Sequence, residues 1–139
     1  MVLSSTEPLV EIKRFFEGRA RLFQFTTRRD SRGVLVPIEF SSIPFRPNRI
    51  FFVHDVPVGI SRGGHAHRSG EQLLIGMAGK ILVDLRVDGE EHRVALFGTE
   101  HALLIGPSVW SRQTYATAGA VLCVLASQSY REDSYIAET

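Results

Sequence analysis

Arg62-Gly63-Gly64-His65-Ala66-His67-Arg68-Ser69-Gly70-Glu71-Gln72 is the stretch on which the fold of this 139-residue chain turns. Two of the five histidines stand one residue apart in it. An extended backbone points such a pair to the same face, with Cα atoms about 6.5 Å apart. Ahead of the pair, Gly59, Gly63 and Gly64 permit a bent or closely approached backbone. Behind it, Gly70 gives way to Gln72-Leu73-Leu74-Ile75-Gly76-Met77-Ala78-Gly79, an apolar run of strand length closed by a turn signal. The two imidazoles therefore sit at a strand entrance beside a core and share one cavity.

Outward from this stretch the chain reads as short extended pieces divided by turns. Arg21 to Thr27 alternates with period two, Arg28 to Gly33 is a polar turn, and Val34 to Phe40 resumes, with Pro37 favouring an edge or bulge; the two runs suggest a hairpin. Arg49 to Asp55 is the next strand. Lys80 to Val87 and Glu91 to Phe97 flank Asp88-Gly89, a two-residue hairpin turn, and His92 on that hairpin reads as a surface residue. His101 to Gly106, Pro107 to Tyr115 and Ala120 to Ser127 complete the series. Strands recurring at about 8–12 residues, with no window of helical periodicity, imply an all-β antiparallel sandwich or barrel in a single domain spanning 1–139. Residues 1–20 form an N-terminal extension in which a short helix capped by Thr6 and an edge strand through Val10-Glu11-Ile12 fit equally well. Residues 129–139 read as a short helix or a strap over the open end of the barrel.

Composition narrows the function. Sixteen Lys and Arg against fifteen Asp and Glu leave a formal charge of +1, which argues against non-specific nucleic-acid binding. Fourteen of the cations are Arg, a bias that suits a few forked contacts to phosphate or carboxylate, although genomic codon usage explains it equally well. Arg28, Arg29 and Arg32 fall on a turn and read as solvated. The lone Cys123, inside an apolar run, excludes an intramolecular disulfide and reads as a small buried hydrophobe. No apolar stretch approaches the roughly 20 residues of a membrane span. The expected compartment is the cytoplasm, with no nucleic-acid or membrane partner.

Gly59, His65-x-His67, Gln72 and Gly79, followed by Ile105-Gly106-Pro107-Ser108-Val109-Trp110, resemble the two motifs of the cupin jelly roll. More narrowly, Arg62 to Arg68, Ile105 to Trp110 and the ending Leu125 to Ile136 resemble the sugar nucleotide 3,4-ketoisomerases, a likeness running from about Arg21 to Ile136. That resemblance implies a dimeric cupin acting without metal or other cofactor on dTDP-4-keto-6-deoxyglucose, giving a dTDP-3-keto-6-deoxyhexose for amino-sugar or glycan synthesis. It assigns His65 and His67 as the catalytic pair. Tyrosines usual in the preceding strand of that family are replaced here by Phe51-Phe52-Val53-His54, leaving His54 as the residue able to supply a polar group there.

The residues themselves support proton transfer better than metal chemistry. A metal-binding cupin would add a Glu and a third His; by motif spacing those positions hold Gln72 and Ser111. Glu71 is adjacent, but a period-two strand points it to the opposite face. Two imidazoles near their ordinary pKa can accept and donate near neutrality, and they disfavour joint protonation, leaving one as base and one as donor. For a nucleotide diphosphate, Arg49, Arg62, Arg68 and Arg112 lie nearest the motifs, and Tyr115 can stack or hydrogen-bond, while Trp110 reads as a packed residue. Gln72, Ser111 and His54 complete the expected substrate-binding set. Competing readings are a 3,5-epimerase of the same sugar nucleotide, a non-catalytic sugar-binding cupin and a metal-dependent dioxygenase.

Overall fold

The computed structural model describes residues 8–98 and 100–129, together with the backbone of Tyr135 and Ile136. Its strands are β1 (Leu9–Phe15), β2 (Ala20–Phe25), β3 (Arg28–Asp30), β4 (Gly33–Leu35), β5 (Arg49–Val53), β6 (Ser61–His67), β7 (Gln72–Ala78), β8 (Lys80–Val87), β9 (Glu90–Phe97), β10 (His101–Ile105), β11 (Trp110–Tyr115), β12 (Val121–Ala126) and β13 (Tyr135–Ile136). They form a six-stranded sheet in the order β1-β2-β10-β7-β12-β5, a five-stranded sheet in the order β13-β6-β11-β8-β9, and the small β3-β4 ribbon. Every pairing is antiparallel. This is the antiparallel sandwich that the strand spacing implied, in the jelly-roll form that the cupin resemblance implied.

Between the two large sheets, Leu74, Leu103, Leu122 and Val124 meet Ile81, Val83, Leu85 and Leu96. The outer face of the six-stranded sheet is also apolar: Leu73, Ile75, Leu104, Cys123 and Leu125 are covered by Val36, Ile38, Ile43 and Phe45. Strands buried on both faces show continuous hydrophobic runs rather than alternation, which is why β7 and β12 read that way in the sequence. The Asp88-Gly89 turn closes β8 onto β9 with both residues at positive φ, 47° and 84°, the geometry whose twist matches a two-residue hairpin. Cys123 is buried as expected.

The structure decides one open alternative and changes two expectations. Residues Leu9–Phe15 are strand, so the helical alternative fails there, and β1 is an edge strand; Thr6 lies outside the described residues. The hairpin expected between residues 21–27 and 34–40 does not form. β2 pairs instead with β1 and with the distant β10, the ribbon joins only Arg28–Asp30 to Gly33–Leu35, and Val36 and Ile38 turn onto the outer face of the sheet. Alternation marks a strand but carries no information about its partner. His92 is not a simple surface residue, for its ring lies 5.1 Å from the rings of both Phe15 and Phe16, and its Nε2 is hydrogen-bonded to Glu90 at 2.6 Å. Of the C-terminal segment, Tyr135 and Ile136 pair as strand with His67 and Ala66; residues 130–134 and 137–139 lie outside the described residues.

Candidate active site

The two sheets separate toward the side where β5 and β6 lie, and between them opens a cavity of about 320 Å³. One wall is set by the register of the six-stranded sheet. Phe51 lies beside Val124 and Val124 beside Leu74, while Val53 lies beside Leu122, so these inward side chains form an apolar surface. At one end of that wall Arg49, Ala126 and Gln72 are in line, placing a guanidinium and a carboxamide at its margin. The facing wall belongs to β6 and β11 and is polar: Arg62, His65, His67, Ser111, Gln113 and Tyr115.

A bulge explains how three charged or titratable side chains of β6 reach the same cavity. Ser111 pairs with His65, but its neighbour Arg112 pairs with Gly63, so two residues of β6 are accommodated where β11 advances by one. Strict period two would send Arg62 and His65 to opposite faces; the extra residue at Gly64 restores Arg62 to the inner side, opposite Gln113. Gly63 and Gly64, at φ 88° and 83°, supply the left-handed backbone that the bulge requires.

The imidazole rings of His65 and His67 stand 5.5 Å apart, nearly perpendicular at 79°. Burial lowers the pKa of His65, opposed by a hydrogen bond to the Gly63 backbone. Burial also pushes His67 down to about 4, reinforced by the charges of His65 and Arg49 and opposed by a hydrogen bond with Gln72. Both rings are therefore neutral near pH 7, each with a nitrogen lone pair able to accept a proton. The hydroxyl of Tyr115, itself fully buried, has no hydrogen-bond partner among the described residues. Burial pushes its pKa up to about 12, against the pull of the Arg62 charge, so it remains a neutral donor.

Seven of the ten residues singled out in the sequence come together here: Arg49, Arg62, His65, His67, Gln72, Ser111 and Tyr115 line the cavity. Three do not. Arg112 alternates to the outer face of its sheet, where its Nη2 donates to Asp84 at 3.2 Å beside Arg93, whose Nε donates to the same carboxylate at 2.7 Å; that pairing holds the Asp84 carboxyl below its usual range. His54 lies one residue past the end of β5, exposed and hydrogen-bonded to Asp55 at 2.8 Å. Arg68 is exposed beyond β6 and does not line the cavity. Gln113 was missed, although the period that joins Ser111 to Tyr115 passes through it; its Nε2 donates to the Ser111 hydroxyl at 3.3 Å. Among the described residues no three His, Cys, Asp or Glu cluster.

The lowered histidine pKa values link the site to stability. An imidazole in the unfolded chain titrates near 6.5, above either folded value, so below that pH the unfolded state binds more protons and stability falls with falling pH. For His67 the loss runs from about pH 6.5 to about 4 and amounts to roughly 2 kcal/mol after allowing for partial solvent access. Urea midpoints measured at pH 7.5 and pH 5 should converge in a His67→Asn variant relative to the native chain; equal pH dependence in both would exclude this origin.

The profile described as "FdtA: WxcM-like, C-terminal" matches residues 19–139. The chain is 36% identical over 108 residues, 77% of its own length and 78% of the relative's, to a TDP-4-oxo-6-deoxy-alpha-D-glucose-3,4-oxoisomerase of Aneurinibacillus thermoaerophilus. It superposes with a TM-score of 0.82, at 36% identity and covering 86% of this chain and 88% of the other, on QdtA, a sugar 3,4-ketoisomerase of Thermoanaerobacterium thermosaccharolyticum in complex with TDP. A mutant of that protein in complex with TDP-4-keto-6-deoxyglucose matches at the same identity, TM-score and coverage.

Proposed function

Because the chain belongs to the FdtA, WxcM-like family of sugar nucleotide 3,4-ketoisomerases, we propose that it moves the carbonyl of TDP-4-keto-6-deoxyglucose from C4 to C3. It is an isomerase of TDP-linked sugars, and the relatives favour this reaction over 3,5-epimerisation or simple binding. The observation that carries the mechanism is the pair of neutral imidazoles 5.5 Å apart on one wall of a cavity large enough for a hexose ring.

One imidazole removes the proton from C3. The C–H electrons form a C3–C4 double bond, and the C4 oxygen takes a proton, giving an enediol. Reversal with the oxygens exchanged removes the proton from O3, re-forms a carbonyl there and returns a proton to C4. The second imidazole carries the proton between the two oxygens. Tyr115, a buried hydroxyl without a partner in the described protein, donates to a ligand oxygen, while Ser111, Gln113 and Gln72 fix the orientation of ring and imidazole. The diphosphate meets Arg49 and Arg62. No metal or other cofactor enters this scheme, in keeping with Gln72 and Ser111 at the motif positions where a ligating Glu and His would stand. The product supplies deoxyamino-sugar or glycan synthesis in the cytoplasm. The assembly is a homodimer, in keeping with Ile50 and Phe52 exposed on the edge strand β5.

The test is an NMR time course of TDP-4-keto-6-deoxyglucose in D₂O with chelator-treated protein. Deuterium should enter C4 as the 3-keto product accumulates; an unchanged spectrum at C3 and C4 would remove the proposal. The arginines give a sharper comparison. Arg62→Ala is expected to raise KM about tenfold or more, the worth of one charge-assisted phosphate contact, whereas Arg112→Ala, on the outer face, should leave kcat and KM within about twofold. Equal effects of the two substitutions would refute this placement of the diphosphate.

A further inference from the structure

The bulge that turns Arg62 and His65 into the cavity is built on two consecutive glycines, the residues with the most backbone freedom, so its shape is imposed by what packs against it. On the cavity side Gln113 and the Ser111 carbonyl crowd Gly63. Behind the bulge stands Trp110, the single tryptophan of the chain, which shares the outer face of β11 with Arg112. A carbon built at the Cβ position of Gly64 would lie 4.0 Å from Trp110 Cζ2, and among the described residues nothing else, chain neighbours aside, lies within 4 Å of it. Trp110 opens β11 and is only 5% exposed. The residue after it, Ser111, pairs with His65, and shortly before it the Ser108 N–H donates to the His67 carbonyl at 2.7 Å. The tryptophan therefore belongs to the segment that holds both histidines from the neighbouring strand. Its indole is held in turn by charge. Arg86, directly opposite on β8, lies over the ring with its guanidinium 4.4 Å from the centroid, and Arg112 lies at 5.6 Å. Arg86 is tethered by Glu91 at 3.6 Å and Arg112 by Asp84. The buried indole Nε1 has no hydrogen-bond partner among the described residues, so the faces and edge of the ring fix it rather than its N–H. Arg86 is the nearer cation and keeps the ring in place when Arg112 is removed, which accords with the small effect expected of Arg112→Ala.

Resting on the ketoisomerase reading above, we infer that Trp110 is a positioning residue: clamped by Arg86 on the outer face of the sheet, its indole edge backs the Gly63-Gly64 bulge and so sets where His65 and Arg62 stand in the cavity. Trp110 does not line the cavity, and its effect on the reaction is geometric. A base must stand at a near-attack distance from the proton it removes, and a misplacement on the order of 1 Å, caused by a substitution away from the chemistry, costs about 10² in rate. Phe at this position would keep an aromatic face beneath Arg86 and lose no hydrogen bond, but its shorter ring would withdraw from Gly64.

The experiment compares Trp110→Phe with Val94→Ala, a core substitution on β9 that does not touch the cavity, by urea midpoint, by kcat and by the pH titration of the His65 ring followed by NMR. Both substitutions should lower the midpoint. Trp110→Phe alone is expected to lower kcat about tenfold or more and to raise the His65 pKa toward the ordinary histidine value, as the relaxed bulge admits water to the ring. The other charged or titratable groups lining the cavity, Arg49, Arg62, His67 and Tyr115, are present in both variants. Arg86→Met removes the cation and keeps the aliphatic stem; it should move kcat and the His65 pKa in the same directions by a smaller factor, and it decides the question if Trp110→Phe does not fold. A lowered midpoint in Trp110→Phe with kcat and the His65 titration unchanged, or equal changes in Val94→Ala, would overturn the inference and leave the ketoisomerase intact. If the native chain forms no 3-keto product, the reading on which the inference rests fails, and the His65 titration still decides whether Trp110 sets the place of that ring.

Discussion

Replacing His65 or His67 with Asn is expected to lower kcat by about 10²–10⁴, the usual worth of a positioned acid or base, with little change in KM. Both rings are held neutral by burial, so a neutral amide of similar size leaves no buried charge without its partner, and the variants should fold. The two histidines act on one proton inventory, and the double variant should fall little below the worse single one. The acid limb of kcat/KM should lie below the ordinary histidine range, since protonation of the base is opposed by burial. Steady-state kinetics of the three variants decide the matter. Losses confined to KM would favour a binding role for the pair over a chemical one.

Gly63→Ala should damage stability and activity together. The residue sits at φ 88°, a region costing about 1–3 kcal/mol for a residue with a Cβ. A Cβ there would also stand 2.9 Å from Gln113 Oε1 and 3.1 Å from the Ser111 carbonyl oxygen. The Gln113 amide can turn aside, but the Ser111 carbonyl belongs to the strand that pairs with His65. Relief requires the bulge to shift, and with it Arg62 and His65. The expected result is a loss of at least tenfold in kcat/KM accompanied by a fall in the urea midpoint. Gly89→Ala is the matched control: its φ is 84°, nothing lies within 4 Å of the added carbon, and the turn is remote from the cavity, so stability should fall with kcat/KM retained. Comparable activity in the two variants would refute the account of the bulge.

The contrast between Arg62 and Arg112 also explains what was legible beforehand. Period two put His65 and His67 on one face correctly because β6 is regular between them. It did not predict that Arg62 joins them, since that depends on a bulge which the glycines permit but do not announce. Arg112 is next to Ser111 in sequence, and for that reason points away from it. His54 failed as a candidate because β5 stops at Val53, a boundary that side-chain pattern fixes only to within a residue or two. The two-sheet architecture followed from strand spacing and turn chemistry, including the Asp88-Gly89 hairpin. The partners of β2 did not, because pairing with β10 is a property of the assembled sheet and leaves no local mark.

The order of strands in the six-stranded sheet bears on how the protein reaches its native state. Only β1 and β2 are neighbours both in the chain and in that sheet; Val53 must find Leu122, and Leu74 must find both Leu103 and Val124. Loop closure must precede each of these contacts, so a chain of such high contact order belongs among slow folders, on the millisecond-to-second scale or beyond. During synthesis the β8–β9 hairpin can close as soon as it emerges, but the apolar wall of the cavity has no complete form until β12 has left the ribosome. Until then β5 and β7 expose hydrophobic strand with which another nascent chain can pair, the condition under which incompletely folded chains aggregate.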